Sequence, residues 1–433
     1  MKRLALHWKI LIGMAAGTGF GLLALKMGWS GLVIAWIKPF GTIFINLLKL
    51  IAIPLIVASL IKGVSDLKDI AKLSAMGGRT IGLYIVTTMI AISVGLVVVN
   101  LVQPGHLVEE STRVEMMEKF GGDAASKIFA ATEKKEQAIL QPLIDLVPDN
   151  IVGAASGNGN MLQVIFFVIL FGIGMILVPE EKARPVKAFF DGVNEVVLKL
   201  IDLIMLFAPY GVFALLAALV VELPDAGIFV ALLGYAACVV SGLLLMLGLF
   251  YPTVVKIFTK RSFGFFFRGI SPAQLLAFST SSSAATLPVT MERVKEHLGV
   301  DEEVASFVLP IGATINMDGT ALYQGIAAVF IAQAFGLELS LTAQLGILLT
   351  ATLASIGSAA VPGAGMIMLV IVLEQAGIPE TGLALIFAID RPLDMLRTVV
   401  NVTSDATISM LVAKSVGKLG EPKVTEWDDS YAK

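Results

Sequence analysis

Long runs of apolar residues dominate the first 260 residues of the chain. An α-helix needs about 20 apolar residues to cross the hydrocarbon core of a bilayer. Runs close to or above that length cover residues 10–25, 39–61, 80–108, 150–179, 203–221 and 226–255. The pattern therefore predicts six membrane-spanning helices in this part of the chain.

Charged residues between these runs set the predicted orientation. The stretches before the first run and after the second, fourth and sixth are rich in Lys and Arg, whereas the loop with Glu222 and Asp225 contains neither. Because basic loops stay on the cytoplasmic side, both termini are predicted to be cytoplasmic. The first run follows a basic N-terminus and can also be interpreted as a secretory signal. Lys26 and Trp29 flank its end like interfacial anchors, which favours a retained helix.

Two later apolar runs, 269–291 and 339–373, are uncharged and long enough to span, but small polar residues, Gly and Pro interrupt each centre. One interruption reads Ser-Ser-Ser-Ala-Ala-Thr-Leu-Pro from Ser281, and the other reads Ser-Ile-Gly-Ser-Ala-Ala-Val-Pro from Ser355. Backbone groups freed by a broken helix are tolerated at membrane depth only where they face protein or a cavity. Both runs are therefore predicted to be re-entrant helical hairpins. Their similarity indicates a repeat of the kind that surrounds a transporter's substrate site, although so short a repeat can also be coincidence.

The last apolar segment carries five polar residues on one helical face. Asp390, Asp394, Arg397, Asn401 and Asp405 are spaced by 4, 3, 4 and 4 positions, which aligns them along one side of an α-helix. Ionisable groups cost at least about 2.5 kcal/mol each at the bilayer centre, so they are usually paired and functional. A purely structural Asp–Arg pair would leave excess negative charge, and that excess favours a cation site.

A second polar motif, Asn316-Met317-Asp318-Gly319-Thr320, lies midway along the apolar stretch 304–335. Glycine permits local unwinding, and Asn, Asp and exposed carbonyls are hard oxygen ligands that suit Na⁺. The alternative interpretation is a kink sealed by hydrogen bonds. Hydroxyl groups at Tyr84, Thr87 and Thr88 share one face of the third helix, which on its own indicates ordinary helix–helix contact.

Composition supports a membrane protein and argues against several functions. Hydrophobic residues make up 57% of the 433 residues, only 15% are charged, and the mean hydropathy is +0.87, whereas soluble domains carry about 25% charged residues. A net charge of −3 argues against a nucleic-acid partner. The single cysteine, Cys238, excludes a cysteine metal site, and the three histidines lie near charged or turn-rich stretches, which argues against Ser–His chemistry.

Four motifs, in the order in which they occur, resemble those of the glutamate/aspartate transporter family. These proteins are the dicarboxylate/amino acid:cation symporters, which include the excitatory amino-acid transporters. The motifs are Ser281-Ser282-Ser283 before Thr286-Leu287-Pro288, Asn316 to Thr320, Val361 to Gly365, and Asp394 to Asp405. The resemblance covers nearly the whole chain and implies a prokaryotic member with an all-α polytopic membrane fold. That fold has eight transmembrane helices plus two re-entrant helical hairpins, arranged as inverted repeats. The resemblance also implies a homotrimer that works as an elevator-type transporter.

The same resemblance divides the chain into a scaffold and a moving transport domain. The scaffold would comprise residues 1–76, with helices 1 and 2, and residues 142–222, with helices 4 and 5. The transport domain would comprise helix 3 at 77–103, and residues 223–416. The latter hold helix 6, hairpin 1 at about 263–294, helix 7 at about 303–335, hairpin 2 at about 340–377 and helix 8 at about 380–414. A Glu-rich external loop at 104–141, interpreted as solvated surface, and a cytoplasmic tail at 417–433 complete the chain.

The resemblance further implies a substrate site and three sodium sites, with no catalytic residue and no organic cofactor. Arg397 would bind the side-chain carboxylate of an acidic amino acid, and Asp394 its ammonium group. Other substrate contacts would come from Thr398, Asn401, Thr320, Ser282 and Ser283, and from backbone near Val361 and Gly365. The sodium ligands would be Asp405 with the carbonyls of Gly312, Asn316 and Asn401; Asp318 and Asn316 with Tyr84, Thr87 and Thr88; and carbonyls of Thr314, Ser355, Ile356 and Ser358.

Comparison with the other branches of the family narrows the predicted choice of substrate. Neutral amino-acid members lack the arginine at Arg397 and C4-dicarboxylate members lack an acid at Asp394, so both together predict aspartate or glutamate. Gln324 stands where animal transporters carry a glutamate tied to proton and potassium coupling, which predicts Na⁺ symport without K⁺ counter-transport. Arg391 lies off the polar face near the helix start, where a packing or interfacial role is expected.

The residues leave alternatives open. A C4-dicarboxylate carrier or a proton-coupled glutamate symporter would share the fold. An ion channel lacks the expected rings of charge, and an intramembrane serine enzyme lacks a general base. The predicted location is the cell (inner) membrane, as a multi-pass protein, since the only Asn-x-Ser/Thr triplet, Asn401-Val402-Thr403, lies within a predicted helix.

Overall fold

The fold is that of a computed structural model, which describes residues 6–66, 74–109, 147–156, 161–222, 226–356, 358, 360, 362–387 and 389–423. Across these residues every regular element is helical, and the only β contact is an isolated bridge between Val300 and Leu419. The predicted all-α fold class is therefore confirmed.

Six helices precede residue 223 in the described part of the chain. They are α1 (Leu6–Met27), α2 (Lys38–Asp66), α3 (Ser74–Val102), α4 (Ile151–Ala155), α5 (Met161–Leu177) and α6 (Glu180–Glu222). Two short turns, Ser30–Leu32 and the π-helical Val33–Ile37, lead into α2, and a 3-10 turn, Pro104–Leu107, follows α3. The longest of the six, α6, bends by 46° between Ile201 and Leu206. Pro209 explains the bend, because it cannot donate to the carbonyl four residues earlier and its ring crowds that turn.

Ten further helices follow. They are α7 (Ala226–Leu245), α8 (Tyr251–Thr259), α9 (Phe263–Thr280), α10 (Ser283–Glu296), α11 (Glu302–Ile315), α12 (Asp318–Ala334), α13 (Leu341–Ile356), α14 (Ala364–Gln375), α15 (Leu383–Phe387) and α16 (Asp390–Ser415). A π-helical turn, Met246–Phe250, joins α7 to α8, and a 3-10 turn, Glu380–Gly382, precedes α15.

The last helix starts later than the sequence predicted. The prediction placed it at about 380–414, whereas α16 begins at Asp390, and the preceding residues form the separate 3-10 turn and α15. Pro392 lies in the first turn of α16, where a proline removes no intrahelical hydrogen bond. A helix start at Asp390 is therefore compatible with the sequence, and hydrophobicity alone could not locate it.

Both interrupted apolar runs form a helix, a break and a second helix, and in each pair the two helices pack against each other. The first break lies between α9 and α10, where Ser281 adopts a left-handed φ of 52° and Ser282 caps α10 by accepting from the Ala285 amide. The second break lies before α14, where Gly363 has a φ of 83°. Glycine tolerates this conformation without strain, so the sequence of the second break fits its backbone.

The predicted helix 7 is broken at its polar motif. Helix α11 ends at Ile315 and α12 begins at Asp318, with Asn316 in an extended conformation between them. The unwinding predicted from the glycine-containing motif therefore occurs, and just after the break the Gly319 amide donates to a side chain, Asn401 Oδ1, at 2.8 Å.

The helices pack in two groups. Helices α1, α2, α5 and α6 form one, and α3 packs with α7, α12 and α16 in the other, together with the two helix pairs. Close approach of α1 to α6 depends on Gly17, since a Cβ there would lie 2.5 Å from the Phe213 carbonyl oxygen.

Three helical stretches of the described residues are long and apolar enough to cross a membrane. They are Ser30–Leu47, Met76–Leu107 and Val230–Thr259, and the bent pair within Glu180–Glu222 would make a fourth if it is one span. These helices support a membrane protein, while the count of eight spans stays a prediction.

Residues 416–423, here called the C-terminal strap, fasten the end of α16 to the turn between α10 and α11. The amide of Gly420 donates to the Gly299 carbonyl at 2.8 Å, and the amide of Asp301 donates to the Lys418 carbonyl at 3.1 Å. Glu421 pairs with Arg261 at 2.9 Å, and this partner holds the pKa of the Glu421 carboxyl below its usual value. The strap thus joins three chain segments on one side of the second group of helices.

Candidate functional site

Arg397 is the centre of a buried polar cluster on α16. Its Nη2 donates to Asp390 Oδ1 at 2.9 Å and to Asp394 Oδ1 at 2.8 Å, and its side chain is 0% exposed. The guanidinium lies over the ring of Tyr323, 3.8 Å from the ring centroid, which is a cation–π geometry. Within the described residues, Nε and Nη1 of Arg397 are buried without a hydrogen-bond partner. The cluster therefore contains an arginine with two N–H groups available to a further acceptor.

Asp394 connects this cluster to the second helix pair. Its Oδ2 accepts from the Gly363 amide at 3.1 Å and from Arg391 Nη1 at 3.2 Å. Arg391 is thus buried and paired with a residue of the cluster, and its expected packing or interfacial role stays a prediction. Gly365 lies beside the same cluster, since a Cβ there would be 3.6 Å from Nη1 of Arg397 and 2.8 Å from Thr320 Cγ2.

The tips of the two helix pairs meet. Ser282 Oγ donates to the Ala360 carbonyl at 2.6 Å, and Ser283 is buried as the first residue of α10. Thr398 is buried on α16, where its hydroxyl donates to the Asp394 carbonyl of its own helix at 2.9 Å. Val361, the other predicted contact at the second tip, lies outside the described residues.

Asn401 attaches the start of α12 to α16. Its Oδ1 accepts from the Gly319 amide at 2.8 Å, and its Nδ2 donates to Thr320 Oγ1 at 3.3 Å. The fit is tight, because a Cβ at Gly319 would lie 2.4 Å from the Arg397 carbonyl oxygen. Thr320 and Asn401, predicted to contact substrate, are thus brought next to the arginine cluster.

Asp318 lies in a second cluster made of hydroxyl groups. Thr88 Oγ1 donates to its Oδ1 at 2.7 Å, while Tyr251 Oη and Ser404 Oγ donate to its Oδ2 at 2.8 and 2.7 Å. The carboxylate is completely buried. One carboxylate surrounded by neutral oxygens from α3, α8 and α16 is a donor set that suits a monovalent cation or a proton.

Asp405 forms a third cluster next to the second. Asn316 Nδ2 donates to Asp405 Oδ1 at 2.8 Å and to Ser404 Oγ at 2.9 Å, so the amide bridges both clusters. A Cβ at Gly312 would lie 2.4 Å from Asp405 Oδ1 and 2.6 Å from Tyr84 Oη. Helices α11, α16 and α3 therefore converge on this carboxylate.

The three hydroxyl residues of α3 have different partners. Thr88 reaches Asp318, and Tyr84 Oη donates to the Val308 carbonyl at 2.8 Å. Thr87 Oγ1 donates to the Tyr84 carbonyl of its own helix at 3.2 Å. The face predicted on α3 therefore does more than pack, since it brings hydroxyls to both carboxylate clusters.

The third predicted sodium site, on carbonyls of Thr314, Ser355, Ile356 and Ser358, stays a prediction. Ser355 is buried, and its hydroxyl donates to the Thr352 carbonyl at 2.8 Å. The Ser358 amide donates to the Ser355 carbonyl at 3.2 Å, whereas Thr314 Oγ1 bonds within α11. Ile356 ends α13 beside them.

Several residues of these clusters had no prediction. Tyr323 follows Thr320 by almost one helical turn, and Ser404 directly precedes Asp405. Their closeness in sequence to these two predicted site residues is the feature that could have indicated them. Tyr251 lies in a long apolar run, and nothing in that run predicts a contact with Asp318.

Among the described residues no group of three or more His, Cys, Asp or Glu side chains is placed to bind a metal ion.

The fold and these clusters define a class of protein. Broken helices and paired short helices that bring buried charges together within a membrane protein are typical of secondary transporters. The sequence matches the Sodium:dicarboxylate symporter family over residues 6–415. The chain belongs to this family, which confirms the resemblance seen in its motifs.

Its relatives are symporters from bacteria and excitatory amino acid transporters from animals. A proton/sodium-glutamate symport protein of Bacillus caldotenax is 36% identical over 433 residues, covering 98% of this chain and 97% of its own. The proton/glutamate-aspartate symporter of Escherichia coli (strain K12) is 33% identical, covering 98% and 96%. Human excitatory amino acid transporter 2 is 34% identical, covering 92% of this chain and 76% of its own. These relatives are transporters and not enzymes.

Proposed function

We propose that this protein is a secondary active symporter that couples an inward Na⁺ gradient to the uptake of aspartate or glutamate. The names of its relatives support glutamate and aspartate as substrates. The family to which it belongs supports a sodium ion as the driving cation.

The observation that carries the substrate proposal is the geometry of Arg397. Two buried donors, Nε and Nη1, have no partner among the described residues, and an unpaired buried donor costs about 1–3 kcal/mol. A carboxylate that accepts from Arg397 removes this cost and gains a charge-assisted hydrogen bond. The side-chain carboxylate of the substrate is proposed to do so.

Asp394 extends the proposal to an amino acid. It lies one turn from Arg397 on the same helix, and an ammonium group is the natural partner of its carboxylate. Thr320, Asn401, Thr398, Ser282 and Ser283, with backbone near Val361 and Gly365, are proposed to complete the substrate site. A C4-dicarboxylate has no ammonium group, so it would leave Asp394 without this partner.

The clusters around Asp318 and Asp405 are the proposed cation sites. Each offers one carboxylate with hydroxyl oxygens close by, and Asp405 also contacts the side-chain amide of Asn316; hard oxygen ligands suit Na⁺. Backbone near Thr314, Ser355, Ile356 and Ser358 is proposed as a third site. Proton coupling is the second candidate, because both bacterial relatives described above carry it in their names and a buried carboxylate can also bind a proton.

The proposal extends to the mode of transport. The group of α1, α2, α5 and α6, with the short helix α4 that packs on α5, would form the scaffold of a homotrimer, and the other helices would move across the cell membrane as an elevator. Both termini would face the cytoplasm. Packing of the helices in two groups supports this division.

Uptake into proteoliposomes tests the function. Vesicles containing the purified protein would receive labelled aspartate with an inward Na⁺ gradient alone, an inward proton gradient alone, or neither. We expect accumulation above the outside concentration with Na⁺ alone. Accumulation driven only by protons would replace Na⁺ coupling with the second candidate, and flux that never runs uphill would indicate a channel. Competition by glutamate, succinate and serine would then define the substrate, and competition by succinate equal to that by aspartate would contradict an amino-acid site.

A further inference from the structure

A π-helical turn in the middle of an apolar helix places one tyrosine among the cation-site residues. Helix α7 passes through the turn Met246–Phe250 directly into α8, whose first residue is Tyr251. A π-helical turn adds one residue to the helix, so every later side chain is rotated by about 100° relative to a regular helix. Such turns cost regular hydrogen bonding and occur frequently at functional sites.

The rotation brings the Tyr251 hydroxyl to the carboxylate of Asp318. Tyr251 is 0% exposed, and its Oη donates to Asp318 Oδ2 at 2.8 Å. Ser404 Oγ donates to the same oxygen at 2.7 Å, while Thr88 Oγ1 donates to Oδ1 at 2.7 Å.

These donors divide the two carboxylate oxygens into different roles. A carboxylate oxygen has two lone-pair positions. On Oδ2 both are taken by Tyr251 and Ser404, whereas the hydrogen bond that Oδ1 accepts among the described residues comes from Thr88, so Oδ1 is the oxygen left to face an ion. The two donors on Oδ2 also hold the carboxylate against rotation about its Cβ–Cγ bond.

We infer that Tyr251 is a positioning residue of the cation site at Asp318. It fixes the carboxylate so that Oδ1 is directed at the ion, and it brings α8 into a site otherwise formed by α3, α12 and α16. The inference rests on the proposed function, since it assumes that Asp318 binds the transported cation. Groups that orient a metal ligand in this way change metal affinity by about 10–100-fold when they are removed.

The test is Tyr251→Phe, which removes one hydroxyl and keeps the ring that fills the core. The midpoint of Na⁺-dependent thermal stabilisation would be measured in detergent, and aspartate affinity would be measured at saturating Na⁺. We expect the Na⁺ midpoint to rise at least about tenfold, with little change in aspartate affinity once Na⁺ saturates. Stabilisation by a bound ion follows from linkage and needs no transport.

Ser241→Ala is the matched control. It removes a hydroxyl from the preceding helix, α7, where the hydrogen bonds of Ser241 Oγ to described residues go to carbonyls of its own helix, at 2.5 Å to Ala237 and 3.1 Å to Cys238. Its Na⁺ midpoint should equal that of the wild type. A Tyr251→Phe midpoint within twofold of the wild type, or a similar weakening of Na⁺ and aspartate binding, would overturn the inference.

Two further results keep this inference separate from the proposed function. A wild-type protein that Na⁺ does not stabilise would contradict the proposed function itself, whereas a wild-type response unchanged in Tyr251→Phe would contradict only the role of Tyr251. If Tyr251→Phe does not fold, Ser404→Ala removes the other donor to the same oxygen. An unchanged Na⁺ midpoint in that variant would equally show that the hydrogen bonds to Oδ2 do not orient the Asp318 carboxylate for the ion.

Discussion

Gly312 provides the sharpest test of the cation site at Asp405. The residue lies in α11 with no side chain to separate it from Asp405 and Tyr84. In Gly312→Ala the added Cβ would lie 2.4 Å from Asp405 Oδ1 and 2.6 Å from Tyr84 Oη, whereas ordinary van der Waals contact begins at 3.4 Å. The carboxylate and the phenol must therefore retreat by about 1 Å, or α11 must shift by a similar distance.

The expected effects on folding and on ion binding differ in size. Replacing a helical glycine by alanine favours the helix by about 1 kcal/mol, and overpacking a well-packed site costs about 1–3 kcal/mol, so the loss of stability is about 2 kcal/mol or less. Ligand distances around a metal ion tolerate only about 0.2 Å. A displacement of about 1 Å should therefore weaken Na⁺ binding at least about tenfold, which corresponds to about 1.4 kcal/mol.

The assay compares Gly312→Ala with Gly82→Ala, a control on α3 where an added Cβ meets nothing within 4 Å. Apparent Na⁺ affinity would be obtained from binding of labelled aspartate at a fixed concentration over a series of Na⁺ concentrations, and unfolding temperature would be recorded for both proteins. A folded Gly312→Ala protein whose Na⁺ affinity stays within twofold of the wild type would refute the assignment of Asp405 as a cation ligand.

Two other substitutions test the substrate site and the C-terminal strap. Arg397→Cys should abolish aspartate uptake, because no guanidinium is left to bind the side-chain carboxylate. Unchanged aspartate affinity in radioligand binding would remove Arg397 from the site. Gly299→Ala should lower the unfolding temperature more than Gly417→Ala, since both glycines have positive φ values of 77° and 74°, but only at Gly299 would a Cβ strike the strap, 2.4 Å from the Gly420 carbonyl oxygen. Each carries a backbone strain of about 1–3 kcal/mol, so equal losses would show that the strap contact adds nothing to stability.

The polar clusters were predictable from the sequence for two reasons. Burying a charged side chain in an apolar helix costs free energy, and the charged residues of this chain recur at helical spacing. The spacing of Asp390, Asp394 and Arg397 defined one helical face, and the structure places all three in hydrogen-bonding contact. The glycine in the motif around Asp318 predicted unwinding, and the helix does break there.

Other features could not be predicted, for separate physical reasons. A π-helical turn changes the helical phase without any marker residue, so the contact of Tyr251 with Asp318 was invisible in an apolar run. Arg391 lies off the predicted face, yet the length and flexibility of its side chain let it reach Asp394. The strap pairs residues about 120 positions apart through backbone groups, and backbone hydrogen bonds leave little trace in a sequence.

The first turn of α12 links the proposed cation and substrate sites. Asp318 receives the hydroxyls of the cation cluster, and Thr320, two residues later, receives Asn401 beside the arginine cluster. With a rise of about 1.5 Å per residue, the two positions lie about 3 Å apart along one rigid helix. An ion that fixes Asp318 therefore also fixes the position of Thr320. By linkage, substrate must tighten Na⁺ binding by the same factor by which Na⁺ tightens substrate binding. Under the proposed function, coupling between the two sites would therefore pass through one helical turn that belongs to both.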